Sequence, residues 1–209
     1  MTYAEANKID FKKIPVIDIS LLRNGENKHI VSEQLHQASK NLGFIYVKNH
    51  GIPENVIQKI RKDGLSFFRQ DKTIKQEVKI STKHRGWLDF GGAKMNDNAK
   101  VDLKESFIWG YQDRNGICSE DHPLRGKNLW PNSLPSLENN AMNFFNSADG
   151  LAKDLLKGFA IGLNLKEDFF LKTSTNPLSR ASLVYYPSQP ASMGKDQFGV
   201  SSHTDFGLL

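Results

Sequence analysis

The spacing of apolar residues along the N-terminal part of the chain predicts strands that alternate with helices. Residues 14–19 alternate apolar and polar positions and are rich in β-branched side chains, which predicts a strand. From 27 to 42, apolar residues recur at spacings of four, three and four, which predicts a helix with Gly43 as its C-cap. The apolar run 44–47 predicts a second strand, and Pro53 then stands where a helix typically begins.

The helix that opens at Pro53 is amphipathic. Four apolar residues are expected to be buried and three cationic ones to face water: Val56, Ile57, Ile60 and Phe68 against Lys59, Arg61 and Lys62. From 81 to 116 the helical period fades, and glycines interleave with four aromatic residues: Trp87, Phe90, Phe107 and Trp109. This pattern predicts hairpins or loops whose aromatic side chains line a pocket.

Two further helices and a strand are predicted in the C-terminal half. Apolar residues keep a helical period from 137 to 163, which predicts the longest helix of the chain, a buttress for the fold. A short helix is predicted at 166–171, and the β-type run 182–186 predicts a strand that stops at Pro187.

The last ten residues hold the strongest candidate for chemistry. In an extended strand, Ser201, His203 and Asp205 share one face, so an imidazole and a carboxylate can converge on one metal ion. With a second histidine they would form the two-histidine, one-carboxylate set that binds non-haem Fe(II). The chain stops on apolar residues at Leu209, from which we expect that it is truncated.

Composition excludes several classes of protein. The 209 residues are 38% hydrophobic and 10% aromatic, which excludes a wholly disordered chain. No apolar run approaches the roughly 20 residues of a membrane span, and no export signal is visible, so a cytoplasmic protein without a membrane partner is expected. The single cysteine, Cys118, can form neither an internal disulfide nor a thiolate cluster, so histidine or carboxylate side chains must hold any metal.

The net charge of +5 (28 − 23) is unevenly distributed, because residues 1–104 carry +7 (19 − 12). No nucleic-acid-binding module is recognisable, and no nucleic-acid partner is expected. We interpret the excess as a solvated basic face, with a field that attracts an anionic substrate as the alternative.

Ordered motifs along nearly the whole chain resemble the isopenicillin N synthase-like branch of the 2-oxoglutarate and Fe(II)-dependent oxygenases. The matching blocks, in order, are residues 14–18, residues 43–53, Arg85-Gly86-Trp87, Lys104-Glu105-Ser106-Phe107, Leu129-Trp130-Pro131, the long helix, Tyr185-Tyr186-Pro187 and residues 198–207.

The resemblance implies His203 and Asp205 as iron ligands and Tyr186 as a contact of the 2-oxoglutarate carboxylate. Arg85 would lie near the substrate mouth and could pair with a substrate carboxylate. An exposed Arg85 beside a packed Trp87 is the alternative, and His50 is expected to be a structural residue of a turn. The family's second histidine ligand would lie beyond Leu209. So would the residues that bind the far carboxylate of 2-oxoglutarate.

The implied fold is α+β: a double-stranded β-helix, or jelly roll, with an N-terminal α/β region and buttressing helices, of which only the first barrel strands are present. The expected segments are a polar leader at 1–13, an N-terminal dioxygenase region at 14–125, a helical buttress at 126–177 and the start of the jelly roll at 178–209.

Three functions remain open. The first, which we favour, is an oxygenase that uses Fe(II), dioxygen and 2-oxoglutarate to hydroxylate, desaturate or cyclise a small-molecule substrate. The second is an Fe(II) oxidase that needs no 2-oxoglutarate, as in isopenicillin N synthase. It is suggested by Ser182 and Val184, where many relatives carry Arg and Asn. The third is an inactive truncated fragment or interaction module, and the 209 residues alone are expected to be inactive.

Overall fold

The computed structural model of the chain describes residues 14–93, 101–112, 122–189, 199–200 and 203. The elements in chain order are β1 (Val16–Asp18), α1 (Ser20–Asn24), α2 (Lys28–Asn41), β2 (Tyr46–Lys48), α3 (Glu54–Phe68), α4 (Lys72–Gln76), β3 (Gly86–Leu88), β4 (Glu105–Gly110), α5 (Ser136–Gly162), a 3-10 helix (Leu171–Thr173) and β5 (Arg180–Tyr185). They form two compact units. The described residues of the first unit lie within 14–52 and 147–176, and those of the second within 53–146 and from 177 onward.

The first unit is built on a two-stranded parallel sheet, in which β1 pairs with β2. Helix α2 confirms the predicted helix, but its C-cap is Leu42 and not the predicted Gly43, which follows at a φ of 76°. The core is an apolar cluster in which helix residues with the predicted spacing meet residues of β1 and its flank: Ile17, Ile19, Leu22, Val31, Leu35 and Ala38.

A turn at residues 49–51 in the same unit is held by polar contacts. The Asn49 amide donates to Asp18 Oδ2 at 2.7 Å, and the Ser20 backbone N–H donates to Asp18 Oδ1 at 3.0 Å. The Ile52 N–H donates to His50 Nδ1 at 3.1 Å, while Arg23 donates to the His50 carbonyl at 2.7 Å. The prediction that His50 is a structural turn residue is therefore confirmed.

The second unit contains a three-stranded antiparallel sheet in the order β3-β4-β5. Trp87, Phe107 and Trp109 are buried in its core, packed with α3 residues such as Phe67. The prediction that these three line a pocket is wrong, because the strands place them on the face of the sheet that packs on the core. Phe90 alone of the four aromatics predicted to line a pocket is largely exposed.

Helix α5 confirms the predicted long helix within a residue at each end. Its N-terminal part places Leu137, Ala141 and Phe145 in the core of the second unit, and its C-terminal part packs Leu155 and Phe159 on the core of the first.

The short helix predicted at 166–171 is wrong, since turns and the 3-10 helix occupy this stretch. A segment of one or two turns gains too few hydrogen bonds to stabilise an α-helix without a packed face. Across the described residues, no helix combines the length and the apolar character needed to cross a lipid bilayer.

Candidate functional site

Strand β5 presents one face to the core and the other to solvent. Leu183 and Tyr185 pack on the core, whereas Ser182 and Val184 are exposed. Tyr186, the next residue along the chain, continues the exposed series with 53% of its surface accessible. The run predicted as a strand at 182–186 is therefore observed as β5 at Arg180–Tyr185, and the alternation along it leaves the Tyr186 side chain exposed.

The Tyr186 ring lies against the backbone of Gly199. A Cβ atom placed on Gly199 would be 2.8 Å from two carbons of the ring, so no side chain fits there without displacing the tyrosine. Four residues later His203 is exposed. The structure thus brings Tyr186 into contact with Gly199, which stands four residues before the predicted metal ligand His203.

Asp205, the second predicted ligand, lies outside the described residues, as does Cys118. Within the described ranges, no three histidine, cysteine, aspartate or glutamate side chains gather as a metal site would require. The assignment of His203 and Asp205 as ligands stays a prediction.

Arg85 is only 1% exposed, so the alternative of an exposed arginine is wrong, while Trp87 is packed as that alternative supposed. The Arg85 guanidinium donates to the carbonyls of His84 at 3.1 Å and Leu124 at 3.0 Å. Gly86 follows at a φ of 108°, a conformation that side chains rarely adopt. These contacts anchor a turn, and the substrate contact inferred for Arg85 stays a prediction.

A buried ion pair that sequence reasoning missed lies beside the end of β5. Lys75 Nζ is 2.6 Å from Glu105 Oε2, which also accepts a hydrogen bond from Trp87 Nε1 at 2.8 Å. Lys75 was expected among the solvated lysines of the basic half, and its burial corrects that expectation at this position. The available signal was Glu105 itself, a charge within the otherwise largely apolar run 105–109, which implies a buried partner.

Comparison with known proteins gives a family match over more than half of the chain. Residues 14–133 match the family described as the N-terminal region of non-haem dioxygenases in morphine synthesis. A probable iron/ascorbate oxidoreductase of Dictyostelium discoideum is 27% identical over 99% of this chain and 64% of its own length.

Two solved structures share the fold. A full-length protein of Neurospora crassa, solved in complex with alpha-KG (2-oxoglutarate), is 25% identical with a TM-score of 0.76 over 93% of this chain and 61% of its own. A 2OG-Fe(II) oxygenase family protein of Caulobacter crescentus is 22% identical with a TM-score of 0.74 over 88% and 59% of the two chains. The chain thus spans less than two thirds of the length of these relatives.

Proposed function

The chain belongs to the non-haem dioxygenase family, and from that premise we propose that the protein is an Fe(II)- and 2-oxoglutarate-dependent oxygenase. It would hydroxylate, desaturate or cyclise a small-molecule substrate. The observation that carries the proposal is the ordered series of family motifs, which ends in an exposed Tyr186 and His203 in the second unit. The solved relative in complex with alpha-KG supports the choice of cosubstrate.

The proposed fold is the jelly roll, with residues 178–209 contributing its opening strands, 14–125 forming the N-terminal dioxygenase region and 126–177 the helical buttress. The antiparallel pairing of β4 with β5 and the likeness to 2OG-Fe(II) oxygenases support the jelly roll, and the bounds of the three segments stay predictions. The polar leader at 1–13 and the cytoplasmic location stay predictions.

His203 and Asp205 are the residues that would hold Fe(II). An imidazole nitrogen and a carboxylate oxygen are donors that suit this ion, and the exposed His203 ring is accessible to it. When bound, Fe(II) supplies the activation of dioxygen, coupled to the decarboxylation of 2-oxoglutarate.

Tyr186 would donate a hydrogen bond from its phenol to a carboxylate of 2-oxoglutarate. Its exposure makes the hydroxyl available, and the contact with Gly199 restricts the plane of the ring. Such a bond to a charged group contributes about 1.5–3 kcal/mol, so Tyr186→Phe is expected to raise the 2-oxoglutarate requirement roughly ten- to hundredfold.

Ser182 and Val184 favour a second candidate, an Fe(II) oxidase that takes all its electrons from the substrate. Both side chains are exposed on the face of β5 that continues into Tyr186, and neither is charged or an amide. This face therefore offers less polar surface to a dicarboxylate than the Arg and Asn of many relatives would.

The test is to measure bound Fe(II) by equilibrium dialysis and succinate formation from 2-oxoglutarate. In a chain extended to include the second histidine ligand that the resemblance implies, His203→Ala and Asp205→Ala should each remove most Fe(II) affinity and leave the fold intact, because each deletes one of three protein ligands. His29→Ala, at an exposed histidine of the first unit, is the matched control. Full iron occupancy in the double variant would contradict the ligand assignment, and oxygen uptake that ignores 2-oxoglutarate would favour the oxidase.

A further inference from the structure

The Lys75–Glu105 pair is enclosed by protein on every side that the structure describes. Lys75 is 6% exposed and Glu105 8%. Glu105 Oε2 accepts hydrogen bonds from Lys75 at 2.6 Å and from Trp87 at 2.8 Å. Lys75 also donates to the Phe68 carbonyl at 3.1 Å and stands 5.0 Å from the centre of the Trp87 ring system. The pair thus joins α4 to the end of α3 and to both β3 and β4.

Stability alone does not account for such a pair. Removing two charges from water costs several kcal/mol per ion, and well-packed apolar residues of similar size often stabilise a core equally well or better. What an ion pair adds is direction, because charge-assisted hydrogen bonds are short and add geometric specificity. The question is therefore which part of the molecule needs that fixed position.

Both members of the ion pair are connected to Tyr185 through direct neighbours. Glu105 is the register partner of Tyr185 in the antiparallel pairing of β4 with β5. Phe68, whose carbonyl accepts the Lys75 bond, stacks its ring on that of Tyr185 with centroids 5.2 Å apart and planes 11° apart. Tyr185, the last residue of β5, is thus held in two ways. Its backbone pairs with β4 at Glu105, and its ring stacks on Phe68.

The fixed position of Tyr185 also restricts the backbone of Tyr186. Tyr186 follows Tyr185 directly, and Pro187 after it confines its backbone to extended conformations. Between Tyr185 on one side and Pro187 on the other, little freedom remains except through movement of the end of β5.

We propose that Lys75 and Glu105 are a positioning pair, which fixes the end of β5 and thereby orients the Tyr186 ring toward the cosubstrate. The cosubstrate part of this proposal rests on the proposed function, whereas the orientation of Tyr186 can be tested without any ligand. Neither residue touches substrate or cosubstrate in this role.

The experiment compares three chains labelled with 3-fluorotyrosine: wild type, Lys75→Met/Glu105→Gln, and Lys72→Met. The double variant removes both charges together, so it leaves no lone buried charge, and the amide introduced by Glu105→Gln keeps an acceptor for Trp87. Lys72→Met is the control, because Lys72 lies on the same helix in an exposed pair with Asp89. The five tyrosines give five fluorine resonances, and the one lost in Tyr186→Phe belongs to Tyr186.

In the folded double variant, the Tyr186 resonance should shift and broaden, while that of Tyr46, in the first unit, stays in place. Lys72→Met should leave both unchanged. A pair that only stabilises the fold would lower the unfolding midpoint and leave the native Tyr186 resonance where it is. That result in the double variant would overturn the proposal.

Titration with 2-oxoglutarate then separates the two hypotheses. If Tyr186 contacts the cosubstrate, its wild-type resonance responds, and the double variant needs about tenfold more ligand, the effect of misplacing one hydrogen bond. An unresponsive wild type would count against a cosubstrate contact in these 209 residues, while the ligand-free spectra still decide whether the pair orients Tyr186. A wild-type response retained at the same concentration in the double variant would refute the positioning role.

Discussion

The two units of the molecule bury different kinds of side chain. Among the described residues of the first unit, Ser32 is the single buried polar residue in an otherwise apolar core. Seven polar or charged residues are buried in the part of the second unit that the structure describes: Asp63, Lys75, Arg85, Asp102, Glu105, Ser106 and Asn128. Burial of such groups is costly unless each finds a partner. The unit that carries Tyr186 and His203 is therefore the one whose core depends on directed contacts, and the first unit depends on shape and apolar area.

The substitution with the largest expected effect on stability is Glu105→Gln. The substitution leaves the Lys75 charge buried without a counter-charge, and breaking such a pair costs about 3–5 kcal/mol. Urea unfolding of the second unit, followed by the fluorescence of its buried tryptophans, measures the loss. Adding Lys75→Met should restore most of the stability, because the lone charge is then gone. A single variant that unfolds within about 0.5 kcal/mol of wild type would show that water or rearrangement relieves the charge.

The same contrast explains what could be predicted from the sequence. Helix α2 and helix α5 follow from their apolar faces, since a helix in contact with one core repeats its apolar residues locally. The Lys75–Glu105 contact joins residues 30 positions apart and leaves no local period. Tyr186 and His203 were singled out by motif, but the contact of Tyr186 with Gly199 depends on tertiary packing and could not be foreseen.

A second, smaller test exchanges one buried polar residue in each unit for alanine. Asn128 satisfies both backbone groups of Gly110: its Oδ1 accepts from the Gly110 N–H at 2.8 Å, and its Nδ2 donates to the carbonyl at 3.0 Å. Asn128→Ala leaves these two buried groups without their hydrogen-bond partner and should lower the free energy of unfolding by about 1–3 kcal/mol. The Ser32 hydroxyl, by contrast, has no hydrogen-bond partner among the described residues.

Ser32→Ala should therefore leave the stability unchanged or raise it by up to about 1 kcal/mol, since it removes an unpaired buried hydroxyl from a helix. Thermal unfolding of the two variants beside wild type makes the comparison. Equal losses at the two positions would mean that the units do not differ in their need for polar contacts.

The smallest expected effect concerns the polar contacts that the first unit keeps at its surface. The backbone N–H of Ser20 holds the pKa of Asp18 below its usual range, with help from the Asn49 amide and the Lys48 charge. The pKa of Asp168 is also lowered, chiefly by its bond to the Lys172 ammonium. One carboxylate is thus held mainly by neutral donors and the other by a cation.

Because the folded-state pKa of Asp18 is lowered, its contribution to stability is complete above the unfolded value of about 4 and is lost as pH falls through the folded value. The difference in unfolding free energy between wild type and Asp18→Asn should accordingly shrink on acidification below about pH 4. At about 1 M salt, screening should weaken the matching effect of Asp168→Asn and leave that of Asp18→Asn largely intact, since hydrogen bonds from neutral donors are not screened. Urea titrations at several pH values, with and without salt, measure both. If salt removed the two effects equally, Asp18 would act through the Lys48 charge, and the turn at 49–51 would owe its position to an ion pair after all.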